Sequence, residues 1–238
     1  MDAPEFKELR YLEAGDKTAL LDAVAGATGG RPSPRILEIG CGSGGVLLAL
    51  AGRIPEAALL GVDISAANIS EAERRARENG HAERARFQLA DYLATPLGPC
   101  DVIYADSVLH LLGSPASPLL RKLSGDLAPG GSLVCTLPDA RLFNRVLWLL
   151  RRVFRLLRCK ALDAFFLFLA KSLHAGTYSE AQLRDRIPYM YILPAFRLDA
   201  ALRRQIAAAG LEIVAETLLP HVSPGQPGHR LLVCRKPS

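Results

Sequence analysis

The chain has 238 residues, with 29 Lys/Arg against 24 Asp/Glu for a formal net charge of +5, and half of it is hydrophobic by residue type. That length fits one large domain, or a core carrying an insertion, and it buries a core without disulfide staples. An apolar half with 22% charged residues excludes intrinsic disorder, and 20 Gly with 16 Pro show no collagen period.

The cysteines, Cys41, Cys100, Cys135, Cys159 and Cys234, are odd in number and widely spaced, with no C-x-x-C pair. This predicts a reducing compartment rather than a disulfide framework or a zinc ribbon, and no metal site. The amino terminus is charged and lacks an apolar signal core. No uninterrupted run approaches the ~20 residues needed to span a bilayer. A cytoplasmic protein is expected, with peripheral membrane association through residues 141–160 as a reservation.

In chain order, residues 1–34 read as an N-terminal helical segment. Residues 35–39 form a short apolar strand, followed by the glycine-rich turn 40–45 and a helix over 46–53. Residues 57–63 are a second strand ending in Asp63. Ser65 is placed to cap a helix that stops at Asn79-Gly80. Residues 86–90 and 101–105 are further strands, 119–127 a helix, and Pro129-Gly130-Gly131 a turn into a strand over 132–137. Alternating strands and helices imply an α/β fold with a doubly wound, mostly parallel sheet. The pattern then breaks. Residues 140–205 read as a helical insertion after strand five, and residues 211–216 and 230–234 as two closing strands.

A glycine turn between a strand and a helix brings backbone N–H groups and the helix dipole against a ligand. Gly40-x-Gly42-x-x-Gly45 fits a dinucleotide fingerprint, and Gly40-x-Gly42-x-Gly44 fits a tighter loop. The acids around the turn separate these readings. Glu38, two residues before the first glycine, would repel a pyrophosphate but suits a ligand with an amino group and a positive centre. Asp63 is placed to accept both hydroxyls of a ribose, and Asp91 to accept from an adenine amino group. Three acids at adjacent strand ends line the crevice where open sheets bind ligands.

These segments, ILEIGCGSGG (36–45), LLGVDIS (59–65), ARFQLADYL (85–93), CDVIYADSVLHLL (100–112) and LAPGGSLVC (127–135), resemble the class I S-adenosylmethionine-dependent methyltransferases. The resemblance implies a seven-stranded, Rossmann-like sheet whose last strand runs antiparallel, with residues 35–139 and 206–238 as the core. It implies S-adenosyl-L-methionine as cofactor. Glu38, Gly40 and Gly42 would face its methionine end, Asp63 would take its ribose and Asp91 with Tyr92 would border its adenine, with Gly44 and Ile64 also cofactor-binding.

The sulfonium is already an activated electrophile, so alignment is the main demand, and a base is needed only for a protonated acceptor. His110 and Asp106, after strand four, are the candidates for that role. Each also reads as an ordinary packing or capping residue. His174, Tyr178, Tyr189 and Tyr191 in the insertion are candidates for an acceptor pocket, with simple packing as the alternative.

Residues 141–204 hold 13 Lys/Arg and 4 Asp/Glu, so this segment carries +9 while the remainder carries −4. On a helical wheel the arginines of 141–158 gather in one arc, with Trp148 among them, and leucines and valines fill the other side. The helix reads as a lid with its apolar face over the site, as a contact for an anionic membrane surface, or as a dock for an acidic acyl carrier protein. Nucleic acid is not expected. The sequence thus predicts a methyltransferase acting on a small, lipophilic or carrier-bound acceptor at oxygen. A nicotinamide-dependent oxidoreductase and a non-catalytic S-adenosylmethionine-binding module are the alternatives.

Overall fold

The computed structural model describes residues 17–173, 179–220 and 228–238. Strands β1 (Arg35–Ile39), β2 (Ala58–Asp63), β3 (Ala85–Leu89), β4 (Cys100–Ala105), β5 (Leu127–Pro138), β6 (Glu212–Leu218) and β7 (His229–Arg235) form one seven-stranded sheet in the order β3-β2-β1-β4-β5-β7-β6. β1 to β5 pair in parallel. β7 runs antiparallel to both β5 and β6. The doubly wound sheet expected from the strand–helix alternation is therefore present.

Helices α1 (Thr18–Ala27), α2 (Gly45–Arg53) and α3 (Ala66–Glu78) line one face of the sheet. Leu20, Val24, Leu47, Leu50 and Ala76 join Ile36, Leu59 and Val102 in the core there. On the other face lie α4 (Ala116–Asp126) and α8 (Ala200–Ala208), whose Leu119, Leu123, Leu202 and Ile206 pack on Leu37, Ile103 and Leu133. Two side chains cap helices locally. Ser65 Oγ accepts from Asn68 N at 3.3 Å, and Asp199 accepts from the N–H groups of Ala201 and Leu202.

The turn expected at Pro129-Gly130-Gly131 lies within β5, where the pairing with β4 shifts register between Leu127 and Ser132 and Gly130 takes φ 68°. A Cβ on Gly131 would meet Ala128 O at 2.8 Å and Asp101 O at 3.0 Å, so the glycine permits close backbone approach at this irregularity.

Between β5 and α8 the chain forms α5 (Leu142–Leu156), α6 (Lys160–Leu173), α7 (Glu180–Arg186) and a 3-10 turn at Ile187–Tyr191. Phe166, Ile187 and Tyr191, flanked by Phe154 and Leu162, make a small core of their own.

The orientation of α5 corrects the lid reading of its apolar face. Asn144 and Trp148 are buried and Arg151 is half-buried, whereas Leu142, Val146, Leu149, Val153 and Leu156 face outward. Leu149 is 64% exposed and Leu156 81%. The cause is polar satisfaction. Asn144 Nδ2 donates to Asp139 O, Asp139 Oδ1 and Gly228 O, and its Oδ1 accepts from Gly228 N. Trp148 packs beneath the Arg197 guanidinium, 5.4 Å from its ring centre. The helix is docked by its polar side, and its apolar stripe is left to face away from the protein.

Candidate active site

After β3 the chain crosses over β2 and β1 to enter β4 on the other side of β1. This reversal opens a crevice beyond the carboxyl ends of β1 and β4, where open α/β sheets hold ligands. The glycine turn forms its rim. Gly40, Gly42 and Gly44 all have positive φ, at 71°, 52° and 77°. Gly40 N and Cys41 N both donate to Val62 O, which folds the turn back over β2. A Cβ on Gly40 would lie 2.7 Å from Val108 Cγ2, so the turn is in close contact with the loop after β4. Gly44 serves packing: a Cβ there would strike the Phe87 ring of β3 at 2.7 Å.

Asp63 ends β2 with its carboxylate fixed. Oδ2 accepts from Gly42 N at 2.9 Å, and Oδ1 accepts from Ser65 N at 2.8 Å. Asn68 Nδ2 also donates to Oδ1, at 3.4 Å. Each carboxylate oxygen has further acceptor capacity, and the side chain is half-buried at the mouth, with Ile64 beside it. Asp91 is exposed after β3, one oxygen accepting from Leu93 N. Tyr92 differs from its expected place. Its ring is buried in the core, its hydroxyl donates to Asp126 Oδ2 at 2.9 Å, and Lys122 sits over the ring. An apolar ring beside the sheet gains more from that core than from the crevice, so only the Tyr92 backbone remains at the loop.

Glu38 is 3% exposed near the end of β1, and its Oε2 has no hydrogen-bond partner. Burial, with Asp106 and Asp63 nearby, pushes its carboxyl well above the usual range, against the pull of Tyr104 and Lys17. A buried acid with an unmet acceptor beside a glycine turn is matched to a cationic group. That is the chemistry of the amino-acid end of S-adenosylmethionine. With Asp63 positioned for a ribose, the residues present fit that cofactor.

Asp106, at the end of β4, is not poised as a base. Lys17 donates to Oδ2, and Thr136 and Ser107 hydroxyls donate to Oδ1. Although burial opposes ionisation, Lys17 and these hydroxyls hold the carboxyl below its ordinary value. Ser107 takes φ 57°, a left-handed conformation for a non-glycine residue, and its N–H donates to Thr136 Oγ1.

His110 is 7% exposed on the short 3-10 turn Leu109–Leu111. Burial, then His229 and Arg151, lower its pKa to about 3. It is therefore neutral at physiological pH.

Tyr191 lies in the insertion's own core, with its hydroxyl on Asp163 Oδ1 and its ring edge-on to Phe166. It is thus a packing residue there and no pocket wall. His174 and Tyr178, and the side chain of Tyr189, lie outside the described residues. The sequence reading did not single out Lys17, Thr136 or Asn144. No local signal marks Lys17, whose partner is 89 residues away. Asn144, Trp148 and Arg151 do share one helical face at spacings of four and three, which is the signal that this face docks.

Residues 36–131 match a family model described as a methyltransferase domain. A trans-aconitate 2-methyltransferase of Methylobacterium nodulans is 36% identical over 136 residues, 57% of this chain and 47% of that protein. One from Deinococcus radiodurans is 33% identical over 135 residues, 56% of this chain and 46% of that protein. The chain thus spans about half the length of these curated relatives. Among solved structures, the [4+2]-cyclase SpnF matches with TM-score 0.64 at 19% identity, over 98% of this chain and 92% of that one. Geranyl diphosphate C-methyltransferase from Streptomyces coelicolor, solved with S-adenosyl-L-homocysteine, matches with TM-score 0.61 at 15% identity, over 92% and 76%. The cofactor of this family is S-adenosyl-L-methionine, the molecule the crevice fits. By its five ordered segments, its strand order and the methyltransferase domain matched over residues 36–131, the chain is similar to the class I S-adenosylmethionine-dependent methyltransferases.

Proposed function

We propose that the chain moves the methyl group of S-adenosylmethionine to a small, lipophilic acceptor, at oxygen. The observation that carries this reading is the row Glu38, Asp63 and Asp91 at the carboxyl ends of β1, β2 and β3, around one glycine turn. S-adenosylmethionine, when bound, supplies a methyl group on a sulfonium that needs no further activation. The protein then has to bind and align. Glu38 offers its unmet oxygen to a cation, Asp63 offers both oxygens to a diol, and Asp91 offers an acceptor at the rim. The acceptor would enter over the ends of β4 and β5, beneath α5. The relatives named trans-aconitate 2-methyltransferases favour a small organic acid chemistry and an oxygen nucleophile.

Calorimetry with S-adenosylmethionine tests the first half, with Asp63→Ala expected to weaken binding by about tenfold or more through loss of charged hydrogen bonds. Unchanged affinity in that variant would sink the reading. Binding of NADH instead would favour the oxidoreductase. Labelled cofactor incubated with a cell extract, with mass spectrometry of the product, tests transfer. Cofactor binding with no methylated product would favour the non-catalytic module.

The outward stripe of α5 supports the lipophilic side of this reading. Leu149, Val153 and Leu156 on α5 and Phe165, Phe168 and Leu173 on α6 are exposed, with Arg145, Arg152 and Arg155 exposed around them. Apolar side chains rimmed by arginine match the plane of an anionic lipid surface. No described helix is long and apolar enough to cross a membrane. Vesicles containing phosphatidylserine should bind the protein, and Leu149→Glu with Val153→Glu should release it. Retention by vesicles in that double variant would refute lipid docking, and binding to an acidic acyl carrier protein alone would transfer the face to that partner.

A further inference from the structure

Arg151 stands apart from the other arginines of α5. It lies two turns beyond Asn144 on the docked face, half-buried, where Arg145, Arg152 and Arg155 are exposed. Its Nε is buried without a partner, and Nη1 donates only a long 3.5 Å hydrogen bond to Ile192 O among the described residues. Among the described residues no carboxylate pairs with it. Burial alone lowers its pKa. A guanidinium taken out of water without a counter-charge is a large cost, and such a group in a folded protein calls for an explanation.

The segment that meets Arg151 also meets His110. Ala195 N, three residues after Ile192, donates to His110 O at 2.8 Å. His110 Nδ1 is buried and has no partner, and its ring lies 5.9 Å from that of His229 at the start of β7. Asp139 is also buried: its Oδ1 accepts from Asn144 Nδ2, while its Oδ2 lies 3.3 Å from Arg141 Nε and accepts no hydrogen bond among the described residues. Arg151 Nε and His110 Nδ1 are thus two buried nitrogens without partners among the described residues, on either side of the 192–195 segment. His110 follows by two residues the Val108 that packs on Gly40, so the cluster borders the cofactor turn.

We infer that Arg151, His110 and His229 form a subsite for the carboxylate of an acidic acceptor with an apolar body. This rests on the proposed methyl transfer and names its substrate class. A planar guanidinium holds a carboxylate through paired N–H donors, and imidazole rings add directional ones. Trp148, one turn before Arg151 on the same face, gives the acceptor's body an aromatic neighbour. A carboxylate also presents an oxygen that needs no base.

The chain's single tryptophan is Trp148, so its fluorescence reports on this subsite directly. Octanoate titrated into the full chain should give a saturable change, while octanol and octylamine should not. Arg151→Met should weaken octanoate by about tenfold or more, and, because it removes an unpaired buried cation, should keep or raise the melting temperature. His229→Asn should weaken it independently, which guards against misfolding of either variant. Equal binding of octanol, or unchanged octanoate affinity in folded Arg151→Met, overturns the subsite. Titration of S-adenosylmethionine into the same preparations separates the two ideas. Cofactor binding without octanoate binding removes the subsite and leaves methyl transfer standing; octanoate binding without cofactor binding removes methyl transfer.

Discussion

Lys17, which starts α1, donates its ammonium to the carboxylate of Asp106 at the end of β4. The Asp106 side chain is only 14% exposed, so this pair closes one side of the crevice with a partly buried charge. Removing the cation strands the carboxylate. Lys17→Met is expected to destabilise the protein by about 3 kcal/mol, and adding Asp106→Asn to recover much of that. Urea unfolding of the two variants measures both changes. A single variant as stable as the parent would show that the pair contributes nothing.

Glu38 gives a pH dependence of definite sign. Its folded-state pKa is raised by burial, so the folded chain holds a proton that the unfolded chain releases. Stability from this group is therefore present below the ordinary carboxyl range and is lost as pH rises through the raised value. Glu38→Gln should raise the melting temperature near about pH 8 and change it little near about pH 4. The opposite ordering would mean that Glu38 is stabilised as an anion.

Asn144 joins α5 to the ends of β5 and β7 through Asp139 and Gly228. Asn144→Leu is isosteric in bulk but leaves those buried groups unpaired, at an expected cost of about 2–4 kcal/mol. Loss of the helix from its seat should also quicken amide exchange across 142–156. If exchange in that segment were unaffected, the docking would have to rest on Trp148 and Arg197 alone.

Gly44 is held open by Phe87. Gly44→Ala adds a methyl group 2.7 Å from the ring at a φ of 77°, and should cost about 1–3 kcal/mol. Phe87→Leu should relieve the collision but not the backbone strain, so the double variant should recover only part of the loss. Full recovery would assign the whole effect to packing.

Much of the core was legible before the structure. Short apolar runs, Ser65 as a cap, and acids at strand ends are local signals, and β1 to β4 with α3 follow them closely. Asp63 was legible for the same reason, since a residue ending a strand at a crevice has few other fates. The orientation of α5 was not. Its leucines and valines form the stronger apolar stripe, and helix periodicity alone assigns such a stripe to the interior. What decides the matter is Asn144 meeting Asp139 and Gly228, the latter 84 residues away, a relationship no local window contains. The same limit hid Lys17. Tyr92 and Tyr191 show the converse, aromatic residues near a site whose rings were claimed by neighbouring cores.

The contact between Gly44 and Phe87 bears on how portable the glycine turn is. The ring that occupies the space a side chain would need comes from β3, two strands away from the turn in the sheet. Gly61 of β2 is shaped by the same ring, at 2.9 Å from a Cβ placed there. The motif is thus a three-part joint of loop, second strand and third strand. Transplanting residues 40–45 into another sheet would reproduce the letters but not the curvature unless Phe87 and Gly61 travelled with them.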